Sequence, residues 1–175
     1  TEEELAVMGV PPPYWAFAWA GGQALARHIL DHPQHVAGKR VLDIGSGSGL
    51  VAIAAMKAGA HTVTAADIDP FAAAAIALNA TGNGVTLTVA TDNLIDSPAP
   101  RPTPWDLILV GDLFYERPLA EALLAWLAPL EALVLTGDPG RAYFPRHGVE
   151  KLAAYPVRTT RELEDREIRE TGVYR

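Results

Sequence analysis

The chain has 175 residues, 49% of them hydrophobic and 20% charged, which describes a globular domain and excludes a disordered or fibrous one. It has no cysteine, so a disulfide scaffold, a thiolate metal site and a cysteine nucleophile are all ruled out. A net charge of −7 argues against a dedicated nucleic-acid binder, and no apolar run approaches the ~20 residues that span a bilayer.

The start, Thr1-Glu2-Glu3-Glu4, is acidic where a signal peptide is basic, so a cytoplasmic, monomeric, single-domain protein over residues 1–175 is expected. Residues 1–13 turn from acidic to proline-rich and read as an irregular lead-in. The run Pro11-Pro12-Pro13-Tyr14 precedes any strand, so it is not expected at a ligand site. Residues 15–30 hold good helix formers, and His32-Pro33 ends that helix because a residue before proline is pushed out of the α region. Trp15 and Trp19 would share one face of it, either near the site or in the core. Residues 39–44 form a short apolar run stopped by glycines, as a buried strand would be. A helix from Gly49 to Ala58 follows, then a second strand over 61–67. Pro70 opens the next helix, with Asp69 as its N-cap. Asn83-Gly84 is a turn, and 85–89 is a third strand of β-branched residues. A proline-rich loop over 96–104 leads to a fourth strand, 105–111, a helix, 119–127, and a fifth strand, 132–136. Past Tyr155 the alternating charges of 161–167 suit a solvated helix. Thr159, Thr160, Ile168, Val173 and Tyr174 favour two strands with a polar bend, and the hairpin is preferred. The whole reads as α/β: a single doubly wound, Rossmann-like, mostly parallel sheet with a C-terminal antiparallel hairpin.

Asp43-Ile44-Gly45-Ser46-Gly47-Ser48-Gly49 lies where the first strand turns into a helix. Glycine lets the backbone turn with positive φ and approach a ligand, and the helix start offers free N–H groups. Ligands in open α/β sheets bind beyond the carboxyl ends of the strands. A dinucleotide loop would need a third glycine at position 50, which is leucine, and no G-x-x-x-x-G-K-[ST] is present. The loop has no lysine or arginine, as suits a cofactor without phosphates. Asp67 ends the second strand, where an acid can accept two hydrogen bonds from ribose hydroxyls. Asp43 could instead cap the turn that follows it.

Val41-Leu42-Asp43-Ile44-Gly45-Ser46-Gly47-Ser48-Gly49 and Ala66-Asp67-Ile68-Asp69-Pro70 resemble the first two motifs of the class I, seven-strand S-adenosylmethionine-dependent methyltransferases. The resemblance implies that S-adenosyl-L-methionine binds at Asp43, Gly45, Ser46, Gly47, Gly49, Asp67 and Ile68, and leaves as S-adenosyl-L-homocysteine. Asp92 or Asn93 would face its adenine, and Trp19 would lie close to it. Asp112-Leu113-Phe114-Tyr115 follows the fourth strand with the acid-to-aromatic spacing of the tetrad used in amino-group methylation, its prolines replaced by Leu113 and Phe114. A free lysine has a pKa of ~10.4, so neutralising it near pH 7.4 costs ~4 kcal/mol. Asp112 could accept from the amine and orient its lone pair, and Tyr115 could draw cations by its ring. Phe114 stands evenly between substrate wall and core.

Trp105 to Tyr115, Leu135 to Arg141 and Trp15 to Gly22 resemble, more narrowly, the lysine methyltransferases of the electron transfer flavoprotein β subunit. That resemblance implies a protein partner, the β subunit, with Asp112, Phe114, Tyr115 and the Gly137–Arg141 loop on the substrate side. The rival is the methyltransferases of large-subunit ribosomal proteins, which share the first half but have an asparagine-led run at the fourth strand. They also carry an N-terminal recruiting domain, for which these 175 residues leave no room. A non-catalytic cofactor-binding scaffold is the third reading. His28 and His32 have helical i,i+4 spacing, but without a third ligand they read as a solvated face, and no metal is expected.

Overall fold

The computed structural model describes residues 12–159 and 167–175, so most of the acidic lead-in and of the charged 161–167 run lie outside it. Strands β1 (Arg40–Ile44), β2 (Thr62–Ala66), β3 (Thr88–Ala90), β4 (Leu107–Gly111), β5 (Leu133–Asp138), β6 (Lys151–Arg158) and β7 (Ile168–Tyr174) form one seven-stranded sheet. Helices α1 (Ala20–Asp31), α2 (Leu50–Lys57), α3 (Pro70–Gly82) and α4 (Arg117–Leu127) cover it, with 3-10 turns at Tyr14–Ala16 and Pro33–His35. The order is β3-β2-β1-β4-β5-β7-β6, in which β7 runs antiparallel to β5 and β6 and the other pairs are parallel. This is the expected doubly wound sheet with its C-terminal hairpin.

The side-chain period of two sorts the central strands into two cores. Val41 and Leu109 pack with Leu25, Ile29, Val51 and Ile76 of α1, α2 and α3. Leu42, Ile44, Ile108 and Val110 pack on the other face with Leu123 and Trp126 of α4. Helix α1 lies against β5 so closely that a Cβ on Gly137 would sit 2.1 Å from the Gly21 carbonyl oxygen.

Several boundaries differ from expectation, three of them with a structural cause or consequence. The first helix starts at Ala20, because Tyr14–Ala16 closes a separate turn and the chain is extended at Phe17 and Trp19. Trp15 and Trp19 therefore do not share a helical face. Strand β3 shortens because the Val85 N–H is drawn to the Ala80 carbonyl, closing the end of α3, which leaves three residues paired with β2 at the sheet edge. Strand β6 begins at Lys151 and pairs with β7 along its length.

Candidate active site

The strands β1, β2 and β4 all end on one side of the sheet, and a cavity of about 1310 Å³ opens there. The glycine loop forms its floor. Gly45, Gly47 and Gly49 have φ of 66°, 56° and 84°, a region that L side chains avoid. A Cβ on Gly45 would come within 2.7 Å of Leu113.

Two carboxylates hold this loop in shape. Asp67 accepts from the Gly47 N–H at 2.8 Å through one oxygen and from the Asp69 N–H at 3.0 Å through the other. It lines the cavity with oxygen lone pairs left over for a ligand, since each carboxylate oxygen can accept twice. Asp43 is buried and turned inward. One oxygen accepts from the Ser46 hydroxyl at 2.6 Å and the Ala52 N–H at 3.0 Å. Helix α2 begins after Gly49, which has no side chain to cap it, so Asp43 supplies the missing acceptor. Burial pushes its carboxyl up to about 7 against the pull of those hydrogen bonds. The turn-capping alternative is the one observed for Asp43. Asp43 and Ser46 line only a small cleft of about 40 Å³, and Gly49 packs on Ile76. Gly45, Gly47, Asp67, Ile68, Asp92, Asn93 and Trp19 all line the large cavity. Asp69 accepts from the Phe71 N–H and caps α3, also as expected.

The residues after β4 divide. Tyr115 is 42% exposed at the cavity wall, and burial followed by the Glu116 charge raises its hydroxyl pKa. Phe114 is buried edge-on against Phe144, in the α4-side core, so the packing alternative holds for it. Asp112 faces the cavity but is 5% exposed. One of its oxygens accepts from the Gly21 N–H at 2.8 Å, an orphan donor in the first turn of α1. The other is paired with the Arg141 Nε. Asp112, expected to accept from an amine, thus already caps α1 through one oxygen and pairs with a guanidinium through the other. Its backbone sits at φ 61°, which aspartate tolerates better than most residues.

Several site residues escaped the sequence. Pro12, Pro13 and Tyr14 line the cavity, contrary to expectation, because they lie beside the strand ends. The Trp19 indole donates to the Tyr14 carbonyl at 2.8 Å, and the Tyr14 ring lies 6.0 Å from Trp19 and 6.2 Å from Tyr115. The one available hint was an aromatic residue next to rigid prolines. Arg141, by contrast, belongs to the Gly137–Arg141 loop that the resemblance put on the substrate side, and it lines the cavity with its guanidinium 5.8 Å over the Trp19 ring. Asp138 fixes that loop by accepting from the N–H groups of Gly140 at 2.7 Å and Arg141 at 2.8 Å. Its second oxygen is buried with no partner among the described residues, and burial raises its carboxyl to about 6.

His28 is not on a solvated face. It is 2% exposed and bonded at 3.1 Å to both the Tyr155 hydroxyl and His35. Among the described residues no group of three or more His, Asp or Glu side chains could hold a metal ion, and no helix is long and apolar enough to cross a membrane.

Comparison with known proteins matches residues 24–111 to the family model described as Ribosomal protein L11 methyltransferase (PrmA). The electron transfer flavoprotein beta subunit lysine methyltransferase of Danio rerio is 48% identical over 146 residues, 81% of this chain and 55% of that protein. The protein of the same name from Xenopus laevis is 44% identical over 172 residues, 93% of this chain and 68% of its own length. The ribosomal protein L11 methyltransferase of Geobacter metallireducens is 42% identical over 97 residues, 55% of this chain and 31% of that protein. The chain spans little more than half the length of several curated relatives it matches. Among solved structures, the ribosomal protein L11 methylase of Lactobacillus delbrueckii superposes with a TM-score of 0.54 at 24% identity, over 86% of this chain and 76% of that one. A protein solved as a complex with SAH superposes with a TM-score of 0.60 at 14% identity, over 86% of this chain and 48% of that one. These two likenesses establish the fold.

Proposed function

Because the chain belongs to the family of electron transfer flavoprotein β subunit lysine methyltransferases, we propose that it transfers methyl groups from S-adenosyl-L-methionine to lysine side chains of a protein partner, with that β subunit as the first candidate. The observation that carries the reading is the meeting, in one cavity, of the glycine floor, the Asp67 carboxylate and the aromatic wall of Tyr14, Trp19 and Tyr115.

The residues present fit that cofactor. Gly45 and Gly47 line the cavity with φ values other residues avoid, so the zwitterionic methionyl part of the cofactor can lie against the loop backbone. Asp67 has acceptor capacity for paired ribose hydroxyls, and Ile68, Asp92 and Asn93 border the space for a flat base. When bound, the cofactor supplies an electrophilic methyl on a sulfonium. The protein's part is alignment and exclusion of water, which together can supply ~7–11 kcal/mol. The rings of Tyr14, Trp19 and Tyr115 attract the cationic lysine head by their faces while their apolar bodies strip its water.

The test is incubation of the protein with cofactor and purified β subunit, followed by fragment mass spectra. Methyl increments on lysine are expected. Their absence, together with methylation of ribosomal protein L11, would move the answer to the second reading. That reading is kept because the L11 methyltransferase model matches residues 24–111.

A further inference from the structure

We propose that Arg141 is a positioning residue that acts through Asp112, neutralising the carboxylate beside which the substrate amine docks so that the amine loses its proton before attack. The inference rests on the lysine-methyltransferase reading above. A lysine ammonium has no lone pair and cannot attack a methyl. A buried carboxylate with no counter-charge would hold the lysine in that form, because an opposite charge within ~4–6 Å favours the charged state by ~1–3 pKa units.

The site avoids this trap. Asp112 has a side chain 3% exposed, with one oxygen capping Gly21 and the other paired to Arg141. A guanidinium stays charged at any working pH, so the neutralisation is permanent. Arg141 is held there rather than swinging into solvent. Its side chain is 18% exposed, its guanidinium lies over the Trp19 ring, and its backbone N–H is fixed by Asp138. The arriving amine meets an aromatic wall and an ion pair of no net charge, and its proton passes to water. The nitrogen lone pair then forms the N–CH3 bond as the S–CH3 bonding pair returns to sulfur.

Other titratable groups surround the cavity and must be separated from the amine. Asp112 and Asp138 stand at the ends of β4 and β5, Tyr115 and Glu116 follow β4, and Tyr14 opens the turn ahead of α1. Asp67, Asp69, Asp92 and Asp96 line the β2 and β3 ends, and Asp43 lies under the loop. All of these remain in place in Arg141 variants.

The experiment is single-turnover methylation of the β subunit at saturating cofactor, followed against pH. Wild type should show a rate that rises through the amine's pKa. Arg141→Gln should move that limb up by about one pH unit, a loss of about tenfold below the limb. Arg141→Met keeps the stem against Trp19 and should show the same displacement, which covers the case where the Gln variant does not fold. Arg141→Lys keeps the charge and should leave the limb in place. Asp138→Asn should also leave it in place, since its titration is not the one read. Neutral variants that lower the rate evenly at all pH, a limb displaced in Arg141→Lys, or a limb that follows Asp138→Asn would overturn the inference alone. A wild-type protein that binds cofactor but methylates no lysine at any pH overturns the function reading and this inference with it.

Discussion

Single residues at this site serve two partners at once. Asp67 clamps the glycine loop and also lines the cavity, where the proposed cofactor would need an acceptor for its ribose. Replacing it with alanine removes a charged acceptor, and each bond to such a group contributes ~1.5–3 kcal/mol. Asp67→Ala should therefore weaken S-adenosylmethionine binding by at least about tenfold in isothermal titration. An affinity within twofold of wild type, in a folded variant, would confine Asp67 to a structural role. Asp43 shows how a motif residue can also serve the fold. Its place in the sequence suits contact with a cofactor, and one of its oxygens accepts from Ser46 and Ala52 because Gly49 cannot cap α2. The sequence could not show that second role, which arises only when the loop and helix start are folded together. The pairing of Asp112 with Arg141, 29 residues apart, was equally hidden.

At the level of elements, most of the sheet was legible. Leu107-Ile108-Leu109-Val110 is buried on both faces and reads as a continuous apolar run, and β1 reads as a shorter run of the same kind. What escaped were contacts that carry no periodicity. The strip Pro12–Tyr14 becomes a cavity wall only because Trp19 ties it down. The edge strand β3 is trimmed by the end of α3, a competition between neighbours rather than a local propensity. The Gly21–Gly137 approach is another such contact. It sets how deeply α1 sits on β5, and it brings the first turn of α1 to Asp112. A methyl group on Gly137 would collide with backbone atoms that cannot yield, at 2.1 and 2.9 Å. Gly137→Ala should destabilise the protein by at least ~1–3 kcal/mol, the usual range for overpacking, while Gly82→Ala, whose Cβ meets nothing, should not destabilise it. Thermal melts of the two variants decide this. Equal melting temperatures would mean that α1 does not need the glycine contact.

Across the whole molecule, α1 joins two polar ends. Its first turn is capped by Asp112 at the cavity, and about two turns further on His28 is bonded to Tyr155 of β6 and to His35. The histidine cluster thus ties the C-terminal hairpin to the helical layer. Burial, and then the neighbouring His32 and His35, lower the His28 pKa from 6.5 to about 4. Between those values the unfolded chain carries a proton there that the folded one does not, so this group's contribution to stability is lost as pH falls from 6.5 towards 4. Buried Asp43 and Asp138 act in the opposite sense. With carboxyls raised to about 7 and about 6, they keep protons in the folded state that the unfolded chain has released, so they favour folding as pH falls through the same window. The raw acid dependence of the wild type is a sum of opposing trends and cannot isolate either. A comparison with His28→Gln can. The variant loses the hydrogen bonds to Tyr155 and His35 at every pH, which lowers its stability throughout, but it also loses the acid-labile part. The stability gap between wild type and His28→Gln should therefore narrow steadily as pH falls from 6.5 to 4, read from denaturant melts at several pH values. Cofactor affinity should be unchanged, since His28 does not line the cavity. A gap that stays constant over this range would show that His28 keeps its ordinary pKa in the folded protein, and the hairpin would then be held by packing of Val157 and Val173 in the α1-side core.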